Sequence, residues 1–175
     1  MSEAFQIRGG KKLHGEITPQ GAKNEALQIL CAVLLTDEEV RIKNIPDIHD
    51  VNRLIEILGD FGVKITKNAH GDYTFKADQV NFDYIKSKEF KKDGAKLRGS
   101  IMILGPMLAR FGEAYMPTPG GDKIGRRRLD THFQGFVELG AEFHYDETEY
   151  FYTLKAKELR GKFILLEEAS VTGTA

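Results

Sequence analysis

At 175 residues, with 41% hydrophobic and 29% charged side chains, the chain has the length of one domain and the make-up of an ordinary globular protein. Its 25 basic and 26 acidic residues leave a net charge of −1, which excludes a global field for nucleic acid or anionic lipid and makes any anion site a local one. A single cysteine, Cys31, excludes an internal disulfide and a cysteine-built metal centre. The N-terminus lacks the apolar core of a signal peptide. The longest apolar run, residues 101–109, falls far short of the roughly 20 residues that span a bilayer. The expectation is a cytoplasmic protein that engages neither nucleic acid nor membrane.

In chain order, Phe5-Gln6-Ile7-Arg8 and residues 12–17 alternate briefly and predict two short strands, separated by Gly9-Gly10 and closed by Pro19-Gln20-Gly21. Residues 23–35 predict a helix that is apolar nearly all round from Ala26 onward, and therefore buried. Val40 and Ile42 mark a strand. Asp50 is placed to cap the next helix, whose apolar stripe is Val51, Leu54, Ile55, Leu58 and Phe61. Gly62 ends it, and Asn68-Ala69-His70-Gly71-Asp72 turns one strand into another. The polar, lysine-rich residues 78–96 predict a connector.

The order then recurs. Residues 98–110 predict a second mostly apolar helix, Ala114-Tyr115-Met116 a strand, and residues 117–128 a loop. Asp130 is placed to cap a helix carrying Phe133, Phe136 and Val137, Gly140 ends it, and residues 141–145 pair with 150–154. Ile29-Leu30-Cys31-Ala32-Val33-Leu34 matches Ile103-Leu104-Gly105-Pro106-Met107-Leu108, and Phe61-Gly62-Val63 matches Leu139-Gly140-Ala141. Leu159-Arg160-Gly161-Lys162-Phe163 echoes Leu13-His14-Gly15-Glu16-Ile17 and opens a third copy. A period this long exceeds the usual solenoid unit. Each copy holds an inner apolar helix and an outer amphipathic one, so the expected fold is mixed α/β. Because a third inner helix should begin just as the chain reaches Ala175, the sequence is expected to be the N-terminal portion of a longer protein.

Chemistry-bearing residues fall at the mouths of the inner helices: Lys23-Asn24, Lys96-Leu97-Arg98 and Ser170-Val171-Thr172. There, free backbone N–H groups favour an anion. A fourth group lies in the loop, where Gly120, Gly121 and Gly125 accompany Asp122 and the run Arg126-Arg127-Arg128. Arginine forks suit carboxylate and phosphate oxygens, and Asp122 is the candidate proton carrier. Taken singly, Lys23 is a solvated lysine, Arg98 a surface ion pair, Ser170 and Thr172 are helix caps, and Cys31 is a small buried hydrophobe. The five histidines show no metal-ligand spacing.

Taken together, Gln20-Gly21-Ala22-Lys23-Asn24-Glu25-Ala26, Leu97-Arg98-Gly99-Ser100, Leu104-Gly105-Pro106 with Ala109-Arg110-Phe111-Gly112, and Pro119-Gly120-Gly121 with Ile124-Gly125 resemble the enolpyruvyl transferase family, in its branch acting on UDP-N-acetylglucosamine. The resemblance runs through essentially the whole chain. It implies an inside-out α/β barrel of βαβαββ repeats, with about two repeats and the start of a third present. Residues 1–20 would supply strands that pack with a second domain. Residues 21–175 would form part of the first domain, with repeats at 21–80 and 95–157 and a third from 158.

The implied activity is transfer of enolpyruvyl from phosphoenolpyruvate to the 3-hydroxyl of UDP-N-acetylglucosamine with release of phosphate, the first committed step of peptidoglycan (cell wall) synthesis, without metal or organic cofactor. Carried over by position, Lys23, Asn24 and Arg127 would bind phosphoenolpyruvate. Arg98, Arg127, Arg128, Leu129, Asp130, Thr131, Ser170 and Val171 would line the UDP-N-acetylglucosamine side, where Thr172 replaces the usual glycine. Asp122 stands where most relatives carry cysteine as proton donor. Aspartate can move that proton but is a weaker nucleophile than a thiolate, so the resemblance implies resistance to fosfomycin, which alkylates the cysteine. The base that deprotonates the sugar would lie beyond Ala175, so these residues alone are not expected to turn over. Two alternatives stay open: the sister enzyme acting on shikimate 3-phosphate, and a non-catalytic module on the same fold. Oligomeric state is left open by the sequence.

Overall fold

Two copies of one helix–strand–helix–hairpin unit run through the chain. The computed structural model describes residues 4–118, 120, 129–167, 169 and 171–174. The first copy is α1 (Lys23–Ala32), continued by a 3-10 turn over Val33–Leu35, then β1 (Glu39–Ile42), α2 (His49–Asp60) and the hairpin β2 (Lys64–Ala69) to β3 (Asp72–Lys76). Two short helices follow, α3 (Phe82–Ile85) and α4 (Lys88–Gly94). The second copy opens with a 3-10 segment over Arg98–Ile103 and passes through α5 (Leu104–Phe111), β4 (Glu113–Pro117), α6 (Asp130–Glu138), β5 (Glu142–Asp146) and β6 (Phe151–Lys155). A last turn, α7, covers Val171–Thr174.

Both sheets are antiparallel and share one topology, with the third strand of each copy in the middle: β1-β3-β2 and β4-β6-β5. The registers also correspond. Glu39 faces Lys76, which faces Lys64; in the second copy Glu113 faces Lys155, which faces Glu142. The outer helices stop in the same way. Gly62 (φ 91°) and Gly140 (φ 105°) take the left-handed conformation that glycine adopts without Cβ strain. The next residue then bonds back into the helix, Val63 N–H to Leu58 O and Ala141 N–H to Phe136 O, each at 3.0 Å. Even the exits match: Asn81 N–H donates to Phe61 O at 2.8 Å, and Arg160 N–H to Leu139 O at 2.9 Å.

The core lies where inner helices, outer helices and sheets meet, with Leu30, Leu34, Leu54, Leu58, Phe61 and Phe75 buried in the first copy and Leu104, Met107, Leu108, Met116 and Leu154 in the second. Each fully buried side chain of this kind stabilises the fold by about 1.5–3 kcal/mol. Phe61 meets Phe90 of α4 edge-on at 4.9 Å, which ties the connector to the first copy. Arg110, on α5, ties the two copies together. Its Nη1 donates to the carbonyls of Leu34, Thr36 and Ala77 at 3.1, 2.9 and 2.8 Å, satisfying chain ends of the first copy from the second.

Several expectations are corrected. Residues 4–22 form no strand among the described residues, and Phe5 and Ile17 are 99% and 92% exposed. A strand exists through its ladder partner, and no described strand pairs with this segment, so the leading strand of the βαβαββ unit is not formed among the described residues. Helix α1 and its 3-10 continuation are buried on one face only, with Ile29, Ala32 and Leu35 exposed. The second inner segment begins as a 3-10 helix because Pro106, near the start of α5, lacks an N–H and crowds the carbonyl four residues earlier. Residues 78–96 hold two helices, capped by the Asn81 side chain accepting from Tyr84 N–H and the Ser87 hydroxyl accepting from Phe90 N–H. Asp50 and Asp130 sit inside the first turns of α2 and α6 and are not caps; the cap positions are Ile48 and Leu129. On α6, Phe133 is buried, but Val137 is exposed.

Candidate functional site

The mouth of α1 is built by a close approach. A Cβ on Gly21 would lie 2.0 Å from Asn44 O and 3.2 Å from Pro46 Cδ, so only glycine lets the chain pass the 44–46 turn into Lys23. The cap residue, Ala22, offers no side-chain acceptor, leaving the first N–H groups of α1 without a side-chain cap. Lys23 and Asn24 are exposed at this end. The Lys23 ammonium pairs with the Asp50 carboxylate at the start of the outer helix α2. A small cavity of about 70 Å³ lies beside it, lined by Gly21, Ala22, Glu25, Ala26 and Asn44 among others.

The second mouth is more heavily braced. Asp93, at the end of α4, accepts from Lys96 Nζ at 3.0 Å and pairs with Arg53 Nη2 of α2 at 2.6 Å. The Lys96 hydrogen bond and the Arg53 charge hold its carboxyl below the usual range. The buried Ser100 hydroxyl reaches the Gly94 and Leu97 carbonyls, at 3.0 and 2.5 Å, and locks the turn that leads into Arg98. The loop after β4 is pinned to the same turn. Gly120 N–H donates to Ala95 O at 2.6 Å, and a Cβ on Gly120 would come within 2.4 Å of that oxygen. The base of the Gly-Gly-Asp loop and Arg98 are therefore held by one bend.

Arg98 is half-buried and lies near His132 in the first turn of α6. Burial, and secondarily the Arg98 charge, push the His132 pKa below its ordinary 6.5, so the ring is neutral at pH 7. His132 Nε2 also lies 3.4 Å from the Thr172 hydroxyl on α7. Arg98, the start of α6 and the 171–174 turn thus converge. Sequence reasoning missed His132: a lone histidine carries no spacing signal, and its relation to residues 40 positions away exists only in the fold.

Other expected residues fall differently. Leu129 packs against the core and Thr131 is 3% exposed, so both side chains are turned inward rather than offered to a ligand. Asp130 is exposed at the start of α6, and Val171 begins α7. Asp122, Arg127, Arg128 and Ser170 lie outside the described residues. Cys31 is buried, which pushes its thiol pKa up and fits an inert core group. A larger cleft, about 870 Å³, lies at the far end of the second copy between Gly112, Gly140 and Lys155; none of the expected site residues lines it. No helix among the described residues is long and apolar enough to cross a membrane.

Comparison with known proteins follows this geometry. A profile described as EPSP synthase (3-phosphoshikimate 1-carboxyvinyltransferase) matches residues 7–175. The chain is 57% identical over 172 residues to the UDP-N-acetylglucosamine 1-carboxyvinyltransferase of Bacteroides thetaiotaomicron, covering 98% of this chain and 40% of that protein. The protein of the same name from Porphyromonas gingivalis is 55% identical over the same shares. The chain thus spans about 40% of the length of these relatives. Among solved structures, the enolpyruvyl transferase NikO from Streptomyces tendae superposes with a TM-score of 0.68 at 20% identity, over 87% of this chain and 32% of that one. EPSP synthase from Acinetobacter baumannii superposes with a TM-score of 0.64 at 15% identity, over 91% of this chain and 36% of that one. These likenesses show that the fold is the mixed α/β fold of enolpyruvyl transferases.

Proposed function

Since the chain belongs to the EPSP synthase (3-phosphoshikimate 1-carboxyvinyltransferase) family, we propose that it is the N-terminal part of an enzyme moving enolpyruvyl from phosphoenolpyruvate to the 3-hydroxyl of UDP-N-acetylglucosamine. The observation that carries this reading is the 55–58% identity, over 98% of the chain, to proteins named for that substrate. The enzyme serves peptidoglycan synthesis in the cytoplasm and needs no metal or organic cofactor. Residues 1–20 belong with a second domain, and residues 21–175 with the first.

Phosphoenolpyruvate and a sugar diphosphate are polyanions, and cations on separate elements must neutralise them. Lys23 at the uncapped α1 mouth, with Asn24 beside it, holds phosphoenolpyruvate together with Arg127. Arg98, Arg127, which reaches both substrates, Arg128, the backbone of Leu129 to Thr131, and the Ser170-Val171 segment hold the sugar nucleotide. The sugar 3-hydroxyl gives up its proton to the base expected beyond Ala175, and its oxygen bonds to C2 of phosphoenolpyruvate while Asp122 delivers a proton to C3. Loss of a C3 proton and cleavage of the C2–O bond to phosphate then regenerate the vinyl group. The bond from Gly120 N–H to Ala95 O fixes Gly120 beside the turn that leads into Arg98.

Phosphate release is the test, measured in the full-length polypeptide carrying this sequence. It should require both phosphoenolpyruvate and UDP-N-acetylglucosamine and resist fosfomycin. Asp122→Asn should lower turnover by about 10²–10⁴-fold, whereas Asp122→Cys should stay active and become covalently alkylated. A fosfomycin adduct on Asp122 itself, or full activity of Asp122→Asn, would overturn the assigned role.

A further inference from the structure

His132 and Thr172 come from segments that have no contact in sequence, yet they meet beside Arg98. We propose that the His132 imidazole and the Thr172 hydroxyl form a latch that fixes the 171–174 turn against α6 and Arg98, and thereby positions the sugar-nucleotide side of the site. The proposal rests on the function proposed above and deepens it.

Three observations carry it. The first is the contact, Nε2 to Oγ1 at 3.4 Å, a loose hydrogen bond whose direction depends on the ring tautomer. The second is placement. His132 lies in the first turn of α6, directly after Leu129, Asp130 and Thr131, so whatever holds the ring also holds the backbone proposed above to meet the sugar nucleotide. The third is the packing of α7, which lies against α6. The turn covers only Val171–Thr174, too short to keep its own position without tertiary support. A side-chain hydrogen bond at its second residue is the kind of link that decides where such a turn sits. A neutral ring is suited to this place, since it adds no second positive charge beside Arg98 and its Nε2 donates to or accepts from the hydroxyl according to the tautomer. The residue at 172 must then bring a hydroxyl, which a glycine there could not supply. His132 and Thr172 are positioning residues in this account and touch no reacting atom.

The test is a set of four substitutions in the full-length polypeptide, with KM for each substrate, kcat and melting temperature measured for each. His132→Leu and Thr172→Val remove the link, and Thr172 is exposed, so its variant has little reason to misfold. Each should raise KM for UDP-N-acetylglucosamine by about three- to tenfold, the worth of one neutral hydrogen bond, with KM for phosphoenolpyruvate within about twofold of wild type. The double variant should be no worse than either single one. His132→Gln and Thr172→Ser, which keep a hydrogen-bonding group, should restore KM. Unchanged KM in Thr172→Val and His132→Leu, or equal rises for both substrates that follow the loss of melting temperature, would overturn the latch while leaving the function standing. Absence of any turnover with UDP-N-acetylglucosamine in the wild type would overturn both.

Discussion

The two copies share a register, a helix stop and an exit bond, yet their mouths are built differently, at the positions proposed above to bind substrate. In the first copy β1 reaches α2 through residues 43–48, and Lys23 pairs with an aspartate of its own outer helix. In the second copy residues 118–129 separate β4 from α6, and Arg98 sits near His132 in a bend braced by Asp93, Ser100 and Gly120. A repeated scaffold supplies equivalent places for cations. The loop between β4 and α6 carries the proposed proton donor, Asp122, and gives the second of those places its proposed role.

Lys23 gives the sharpest way to break this comparison. If its ion pair with Asp50 were structural, Lys23→Ala would destabilise the fold; but both partners are substantially exposed, and such pairs contribute only about 0–1 kcal/mol. The expected outcome is a melting temperature close to wild type with turnover of the full-length polypeptide reduced about 10²–10³-fold. A large stability loss with normal turnover would place Lys23 in the scaffold.

The paired helix stops come next. Gly140→Ala should cost about 1–2 kcal/mol, the strain of a Cβ in left-handed backbone. Gly62→Ala should cost at least about 1 kcal/mol more, because its Cβ would also lie 2.3 Å from Gln79 O, whereas the nearest atom at Gly140, Glu158 O, is 3.4 Å away. Urea titrations of both variants measure the difference, and equal losses would mean that the 79–81 strand exit yields freely.

Arg110→Met keeps the apolar stem but removes the donor to three carbonyls of the first copy, so a loss of about 1–3 kcal/mol is expected. Amide exchange should then rise around Leu34, Thr36 and Ala77 before it rises in the second sheet. Uniform exchange would show that the copies do not depend on this link.

The smallest effect concerns pH. The folded His132 ring binds its proton less readily than the unfolded one, so stability is full above the ordinary value of 6.5 and falls as pH drops through the lower folded value. His132→Gln should flatten that part of the stability profile. An unchanged slope would assign it to other groups.

Much of the scaffold was legible in the sequence because its signals are local. Gly62 and Gly140 follow amphipathic stripes, and the Ala69–Asp72 turn joins alternating runs, so the helix–strand–helix–hairpin order could be read twice. The lysine-rich connector hid α3 and α4, whose buried Ile85 and Phe90 are too few to show a period; the caps Asn81 and Ser87 were the available signal. The alternation at Phe5-Gln6-Ile7-Arg8 misled because period two describes a strand's faces and says nothing about its partner. Lys23 and Arg98 could be singled out from their places before apolar helices. His132 could not, since its meaning comes from Thr172 and Arg98, brought to it by tertiary packing.

The most direct test of the account is equilibrium binding to the full-length polypeptide carrying this sequence, with UDP-N-acetylglucosamine and shikimate 3-phosphate titrated side by side in a calorimeter. Saturable binding of the sugar nucleotide, lost in Arg127→Ala, with no heat from shikimate 3-phosphate, is the predicted result. Binding of shikimate 3-phosphate in preference to the sugar nucleotide, or sugar-nucleotide binding unaffected by Arg127→Ala, would contradict it.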